Sequence, residues 1–456
     1  MIRPGAQPSE APSIRSLALL SCLAILLLAP TAFAQAIGTP LSGPASADGV
    51  AAYYNPAAMG AGTGTLLELN GGVSVIQLAY AQEDGATSTQ MPVGPLLSLG
   101  GYTDALHEQW RIGLAGGVSR ASGGFWGRDD GAGNTTRYYM VTGQSFHIQL
   151  VPAVSFTPIE WLTIGVGANL TYGSAQTELD KDFGAQLNQT VGSTELDSPF
   201  PYASPDLAAP VFVSGDGFGV GATGGILVRP IPELSLAASI HSPVVLVASG
   251  SLRVEYPDAL RQFVADTLPS AQLPDLNGSI EMQMDVPMQI FFGVSARPHP
   301  MVDLGVYYQF EHTSSQPNFN LTVTEATSES IENQSKPQAY VDRHRVHLRA
   351  GVLPIPELLV AAHFTFQSNT VPDETLAPNN MDFNRIELGL TARWQLIDEV
   401  SLLLSYGHTF LIDRDISTSL HRPVTQPSLA AFNHPSANGT YSGSADIVRL
   451  AVGVHF

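Results

Sequence analysis

The sequence predicts an all-β protein: a transmembrane, outer-membrane type β-barrel of about fourteen antiparallel strands, with a small N-terminal hatch plugging its lumen. Three observations carry this expectation. Apolar and polar residues alternate with period two from about residue 65 onward, long and short connections alternate between the strands, and the chain closes on the amphipathic strand SADIVRLAVGVHF with an aromatic last residue, Phe456.

The N-terminal region reads as an export signal. Arg3 and Arg15 precede an apolar run at 17–29, and Ala32-Phe33-Ala34 places small residues where a signal peptidase reads. The run is too short to span a bilayer, and no later stretch is long and apolar enough to do so as a helix. The expected organisation is a signal peptide over 1–34, a hatch over 35–64 and a barrel over 65–456. Cys22, the single cysteine, falls inside the signal, so no disulfide and no cysteine-based metal site is expected in the exported chain.

Between the signal and the first strand lies ADGVAAYYNPAAMG, residues 47–60. It is too rich in small residues for a core helix and too irregular for a strand, and Asn55-Pro56 marks a turn. Candidate strands then follow at about 65–80, 95–103, 110–120, 138–157, 161–177, 217–229, 234–249, 279–297, 300–313, 342–353, 358–368, 384–395, 400–411 and 444–456. The short connections fall at 104–109, 158–160, 230–233, 298–299, 354–357 and 396–399, and the long ones between them. Placing every long loop at one end is the habit of an outer-membrane barrel, with short periplasmic turns and long extracellular loops. A soluble sandwich has no reason to do this.

The faces agree. Leu162, Ile164, Val166, Ala168, Leu170 and Tyr172 share one side of a strand, and Thr163, Gly165, Gly167, Asn169 and Thr171 the other. In a membrane barrel the apolar side meets lipid and the polar side lines the lumen. Trp110, Trp161 and Trp394 sit at the short-turn ends of their strands, where an interfacial girdle belongs, while Trp126 lies in a long loop. The net charge of -20 argues against nucleic acid or another polyanion as partner. Only 13% of residues are charged and the mean hydropathy is +0.10, which even spacing of apolar residues along strands explains.

These residues resemble the FadL-type outer-membrane transporters of long-chain fatty acids and aromatic hydrocarbons. ADGVAAYYNPAAMG resembles the family's hatch, and RYYMVTGQSFHIQLVPAVSFTPIEWLTIGVGANLTYG its central hairpin. GFGVGATGGILVRPIPELSLAASIHSPV, QSNTVPDETLAP and NGTYSGSADIVRLAVGVHF follow in family order. The lead between Gln35 and Asp48 is shorter than relatives usually carry. The resemblance implies a monomeric barrel that performs no chemistry and takes no cofactor. Its loops capture a hydrophobic ligand, its lumen binds it, and it is released sideways into the membrane. The expected partners are that ligand and the lipid and lipopolysaccharide of a Gram-negative outer membrane.

Several residue groups are candidates within this scheme. Tyr53, Tyr54, Asn55, Pro56 and Ala57 would form the gate in the hatch. Gly113, Gly116 and Gly117 weaken the third strand, inviting a kink suited to a side exit, and make that strand the expected partner of the hatch. In YVDRHRVHLRAGVL, alternation puts Arg343, Arg345, His347 and Arg349 on the lumen side. They either bind a ligand carboxylate or pair with lumen acids such as Glu281, Asp285, Glu311 and Glu387. Leu260, Phe263, Val264 and Leu268 stand near helical spacing after Asp258, a candidate N-cap, and form a capture groove, the packing face of a loop helix, or both.

Other chemistries are poorly served. Gly219–Gly224 matches G-x-G-x-x-G, but inside an alternating strand with no helix after it, so no dinucleotide site is expected. The histidines show no metal-ligand spacing, and no Ser-His-acid set stands out. A structural or adhesive barrel, and an outer-membrane hydrolase, are the alternative functions.

Overall fold

The computed structural model describes residues 37–83, 87–128, 136–182, 207–267, 276–326, 333–421 and 436–456. The expected signal peptide, Leu268 and the side chain of Val264 lie outside the described residues.

A short helix α1 (Ala51–Tyr54) and a 3-10 turn (Pro56–Ala61) precede the sheet. β1 (Thr65–Gln82) is followed by the short β2 (Thr87–Gln90) and by β3 (Val93–His107), both paired to it. A meander of β4 (Trp110–Phe125), β5 (Thr142–Ile159), β6 (Leu162–Asp182), β7 (Ala208–Ile231) and β8 (Leu234–His241) continues the wall. Then come β9 (Val247–Val254), helix α2 (Asp258–Thr267), β10 (Leu276–Gln283), β11 (Gln289–His299), β12 (Val302–Glu311), β13 (Asn318–Ala326) and β14 (Gln334–Pro337). The last strands are β15 (Arg343–Ile355), β16 (Leu358–Gln367), β17 (Arg385–Ile397), β18 (Val400–Ile416) and β19 (Gly439–His455).

Fourteen strands close an antiparallel ring: β1, β3 to β8, β11, β12 and β15 to β19. β19 returns onto β1 in register from Leu66↔His455 to Gln82↔Gly439, which closes the ring. The runs at 234–249 and 279–297, which alternation alone presents as single strands, are each divided. Pro243 and Pro287 lack the amide a ladder needs, and β8 and β11 lie in the wall while β9 and β10 rise above it. β9, β10, β13 and β14 extend the upper part of β7 as a small sheet beyond the ring.

Each of the six short turns is two residues long, at 108–109, 160–161, 232–233, 300–301, 356–357 and 398–399. A register shift precedes every one, as between Phe156 and Ile159 before the pair Ile159↔Leu162. These bulges tighten the twist where the strand must reverse.

The wall is inside out relative to a soluble protein. On β6, Val166 is 61% exposed and Thr171 is fully buried, and the alternation runs the same way along the strand. Trp110, Trp161 and Trp394 are exposed at the turn end. Trp126 is buried, and its Nε1 donates to the Pro378 carbonyl at 3.0 Å. The apolar outer belt suits hydrocarbon, and the lumen is filled by polar side chains and by the N-terminal segment.

Candidate functional site

The N-terminal segment is the floor of the lumen. Ala51, Ala52, Ala58 and Met59 are buried against Leu66, Tyr102, Ala115, Val151 and Phe291 of the wall, and Ala57 against Leu227. Tyr53 and Tyr54 meet edge to face at 5.1 Å, Tyr53 packs on His241, and Tyr54 packs on Phe291. The Ser239 hydroxyl donates to the Tyr54 carbonyl at 2.6 Å. Asn55, fully buried, caps the 3-10 turn by accepting from the Ala57 amide at 3.0 Å, with Pro56 preset at the first position. Its Nδ2 donates to the carbonyls of Pro44 and of Ile226 on β7, each at 3.0 Å.

Two wall glycines make this approach possible. A Cβ at Gly165 would stand 2.3 Å from the Ala57 nitrogen, and one at Gly225 would stand 2.2 Å from Asn55 Oδ1. The third wall strand, β4, was the expected partner of the hatch; it packs on the segment through Gly113 and Ala115, while β6 and β7 hold the Asn55-Pro56 turn. Of its three candidate glycines only Gly113 touches the segment, at the Met59 sulfur, while Gly116 and Gly117 are packed against Leu150 of β5 and against Leu97 and Ser98 of β3. Gly219–Gly224 lies mid-strand in β7, with strand on both sides.

Asp48 is the segment's one ill-matched group. Its Oδ1 accepts from the Val50 amide, but its Oδ2 finds no hydrogen-bond donor, and Glu68 of β1 holds the Gly49 amide beside it. Burial pushes the Asp48 carboxyl up to about 6.

The basic ladder faces the lumen as alternation predicts, yet it divides by height. His347 and Arg349 belong to the floor. His347 bonds the Pro40 carbonyl at 2.9 Å and Thr365 Oγ1 at 2.8 Å. Arg349 donates to the Leu41 carbonyl, to Ser46 Oγ at 3.1 Å and to Ser295 Oγ at 3.2 Å, and pairs with Asp303 at 3.2 Å. Arg343 pairs with Glu311 at 3.6 Å and Asp382 at 3.7 Å. Arg345 lines the space above the floor.

That space comprises two connected cavities of about 520 and 790 Å³, which share Arg345, Thr365, Glu387 and Arg449. The larger is amphipathic. Arg345, Arg385 and Arg449 collect at one side around Glu387, whose Oε1 also meets His363 at 3.2 Å. Ile76, Leu78, Leu96, Phe383, Leu411 and Ile447 line the other side. Arg385 and Arg449 were absent from the sequence-based candidates. Among the acids expected in the lumen, Glu311 and Glu387 are there. Glu281 and Asp285 are not: both sit at the β10 extension, where Asp285 caps the Leu246 amide at 2.9 Å.

The roof is the segment at 368–384. Leu376, Met381 and Phe383 pack on Ile76, Leu78, Tyr80 and Tyr441 of the wall. Asp382 Oδ2 staples the turn, accepting from Thr370 N at 2.5 Å, Thr370 Oγ1 at 2.9 Å and Val371 N at 3.3 Å. The helix expected on 258–268 is present as α2. Leu260 is fully buried among Leu207, Val211, Val254 and Tyr256, with Phe263 against them, so the described face of α2 is a packing face.

The wall has one open seam beside the larger cavity. The β3–β4 ladder runs from His107↔Trp110 up to Ser98↔Gly117 and stops, although both strands continue. Above it, Gln90 Oε1 accepts the Phe125 amide at 2.6 Å. Between these two links no ladder pair joins β3 to β4 among the described residues. Leu96, at the edge of the cavity, packs on Val118 and Ile447 at the base of the seam. Gly113, Gly116 and Gly117 themselves keep their β3 partners, and the irregularity of β4 is the register shift between Val118 and Arg120.

A plugged fourteen-strand ring with this seam can be compared with known proteins. This is the fold of the FadL-type channels. A Pseudomonas aeruginosa FadL homologue matches with a TM-score of 0.75 at 15% identity, over 94% of this chain and 100% of its own. The Pseudomonas putida toluene transporter TodX gives 0.63 at 15% identity, over 88% and 92% of the two chains. The Ralstonia pickettii toluene transporter TbuX gives 0.60 at 14% identity, over 91% and 98%. No family model matches the sequence, and no curated protein matches it.

Proposed function

We propose that the protein is a passive outer-membrane transporter of a hydrophobic small molecule with an acidic head, such as a long-chain fatty acid. The observation that carries this reading is the larger cavity, with three arginines at one side, an apolar lining at the other and an open wall seam beside it. The carboxylate would sit on Arg345, Arg385 and Arg449, and the tail along Leu96 and Ile447 would point toward the seam. Release is sideways between β3 and β4 into lipid, because residues 37–61 fill the floor. The same segment is the hatch, so the barrel conducts little when the hatch is docked. Residues 1–34 act as the export signal, the short turns face the periplasm, and the barrel is monomeric in lipid and lipopolysaccharide.

Neutral hydrocarbon is a second reading, favoured by the apolar half of the cavity and by the toluene transporters that share the fold. Uptake of radiolabelled oleate and of toluene by cells with and without the protein distinguishes the two. The first reading requires oleate uptake to depend on the protein; dependence for toluene alone selects the second, and dependence for neither ends both.

A further inference from the structure

Arg120 reaches across the lumen. On β4, Val118 pairs with Ile148 of β5 but Arg120 pairs with His147, so Ser119 is an inserted residue. Such a bulge bends its strand and raises its twist. The β3–β4 ladder ends at Gly117, immediately before it. Past the bulge, the Arg120 guanidinium meets the Glu311 carboxylate of β12 at 2.6 Å. Around the ring β4 and β12 are separated by β5, β6, β7, β8 and β11, so this ion pair joins opposite sides of the interior.

The far end of the contact is firmly fixed. Glu311 is fully buried, with Arg343 at 3.6 Å on its Oε1 and Gln289 Nε2 at 3.4 Å on its Oε2. The near end is held from one side only, since Arg120 to Gly124 have ladder partners on β5 and none on β3. An unpaired strand edge facing another is a template for pairing. Pro95 on β3 has no amide to give and Ser119 on β4 is bulged, so the amides left to pair across the seam are those around them, and they pair only if β4 comes up to β3. The Arg120–Glu311 contact is an ion pair by distance, with neither Arg120 Nη2 nor Glu311 Oε1 in a hydrogen bond, so its pull on β4 is electrostatic.

We propose that Arg120 is a positioning residue: its ion pair to Glu311 is a strut that draws the upper half of β4 into the lumen and keeps the β3–β4 seam open. The inference rests on the lateral release described above and gives it a mechanical cause. Bulge and strut act together. Ser119 lets the strand bend, and Arg120 sets the direction of the bend.

The test compares wild type with Arg120→Met, Arg120→Lys and Glu311→Gln in the full-length protein reconstituted in lipid vesicles. One readout is hydrogen exchange of the amides of Val93, Gly94, Leu96 and Leu97 and of those at 119–124. The other is uptake of a pyrene-labelled dodecanoic acid. In Arg120→Met those amides should become about tenfold or more protected as the seam zips, with exchange elsewhere in the ring unchanged. Uptake should fall in step, and Arg120→Lys should restore much of both. Glu311→Gln keeps Arg343 covered at a neutral partner and must reproduce the Arg120→Met result, which keeps the test decisive if the first variant assembles poorly. Seam exchange that is unchanged or faster in both variants overturns the strut, whatever uptake does. A wild type that fails to take up the probe refutes the transport reading while the exchange comparison still judges the strut.

Discussion

Asn55 Nδ2 donates to the Ile226 carbonyl of β7 at 3.0 Å, tying the turn of the N-terminal segment to a wall strand 171 residues further along the chain. Asn55→Ala removes this bond and the one to Pro44, and leaves buried carbonyls without a donor. The expected cost to docking of the segment is about 1 to 3 kcal/mol. Limited proteolysis should nick residues 37–61 faster in the variant, and planar-bilayer conductance should rise, with the barrel itself still resistant.

The divided ladder separates ligand contacts from floor contacts. Arg345→Ala should weaken oleate binding by about 1.5 to 3 kcal/mol, the loss expected for a charge-assisted contact, and leave toluene uptake unchanged. Arg349→Ala should instead change uptake of both, because its partners are Leu41, Ser46, Ser295 and Asp303. Isothermal titration with each ligand checks the first; equal loss for oleate and toluene in Arg345→Ala would remove the carboxylate site.

Docking of the segment should depend on pH through Asp48. Its carboxyl is raised from 3.8 to about 6 by burial, so the docked state prefers the protonated form. The stabilisation is complete below the undocked value and is lost as pH rises through about 6. Protease nicking of the segment should therefore accelerate between pH 4 and 7 in wild type, and Asp48→Asn should reduce that acceleration and slow nicking at pH 8.

The roof should be as sensitive as the floor. Asp382→Ala removes four acceptor contacts at once and frees Arg343 of one of its two acids. Exchange of the Thr370 and Val371 amides should speed by about tenfold or more, with the ring strands unaffected. Protection equal to wild type would mean that apolar packing of Leu376 and Phe383 alone holds the segment down.

Much of the wall was legible in the sequence because period-two alternation and two-residue turns are local signals. Thr163 inward and Val166 outward follow from spacing alone. Pro243 and Pro287 also stand in plain sight, but alternation continues across them, so the division of those runs needed the ring. The lumen was harder. Arg385 in RIELGLTARW and Arg449 in DIVRLAVGV each occupy a polar position of an otherwise apolar strand, a signal that could have found them. Only closure of β17 and β19 around β15 brings them to Arg345. His347 gives no local hint of its partner, since the Pro40 carbonyl lies 307 residues away in sequence. Asn55 likewise suggested a turn but not which strand would hold it, because Gly165 and Gly225 read like any other wall glycine.

Sideways release through the β3–β4 seam is the central claim, and bridging the seam tests it most directly. Leu97→Cys and Ala121→Cys place one thiol on each side, in a chain whose sole other cysteine is Cys22. A cleavable bis-maleimide should join them and stop oleate uptake, while cleavage of the linker should restore it and each single-cysteine variant treated alike should transport normally. Full-rate uptake by the bridged barrel would contradict the account.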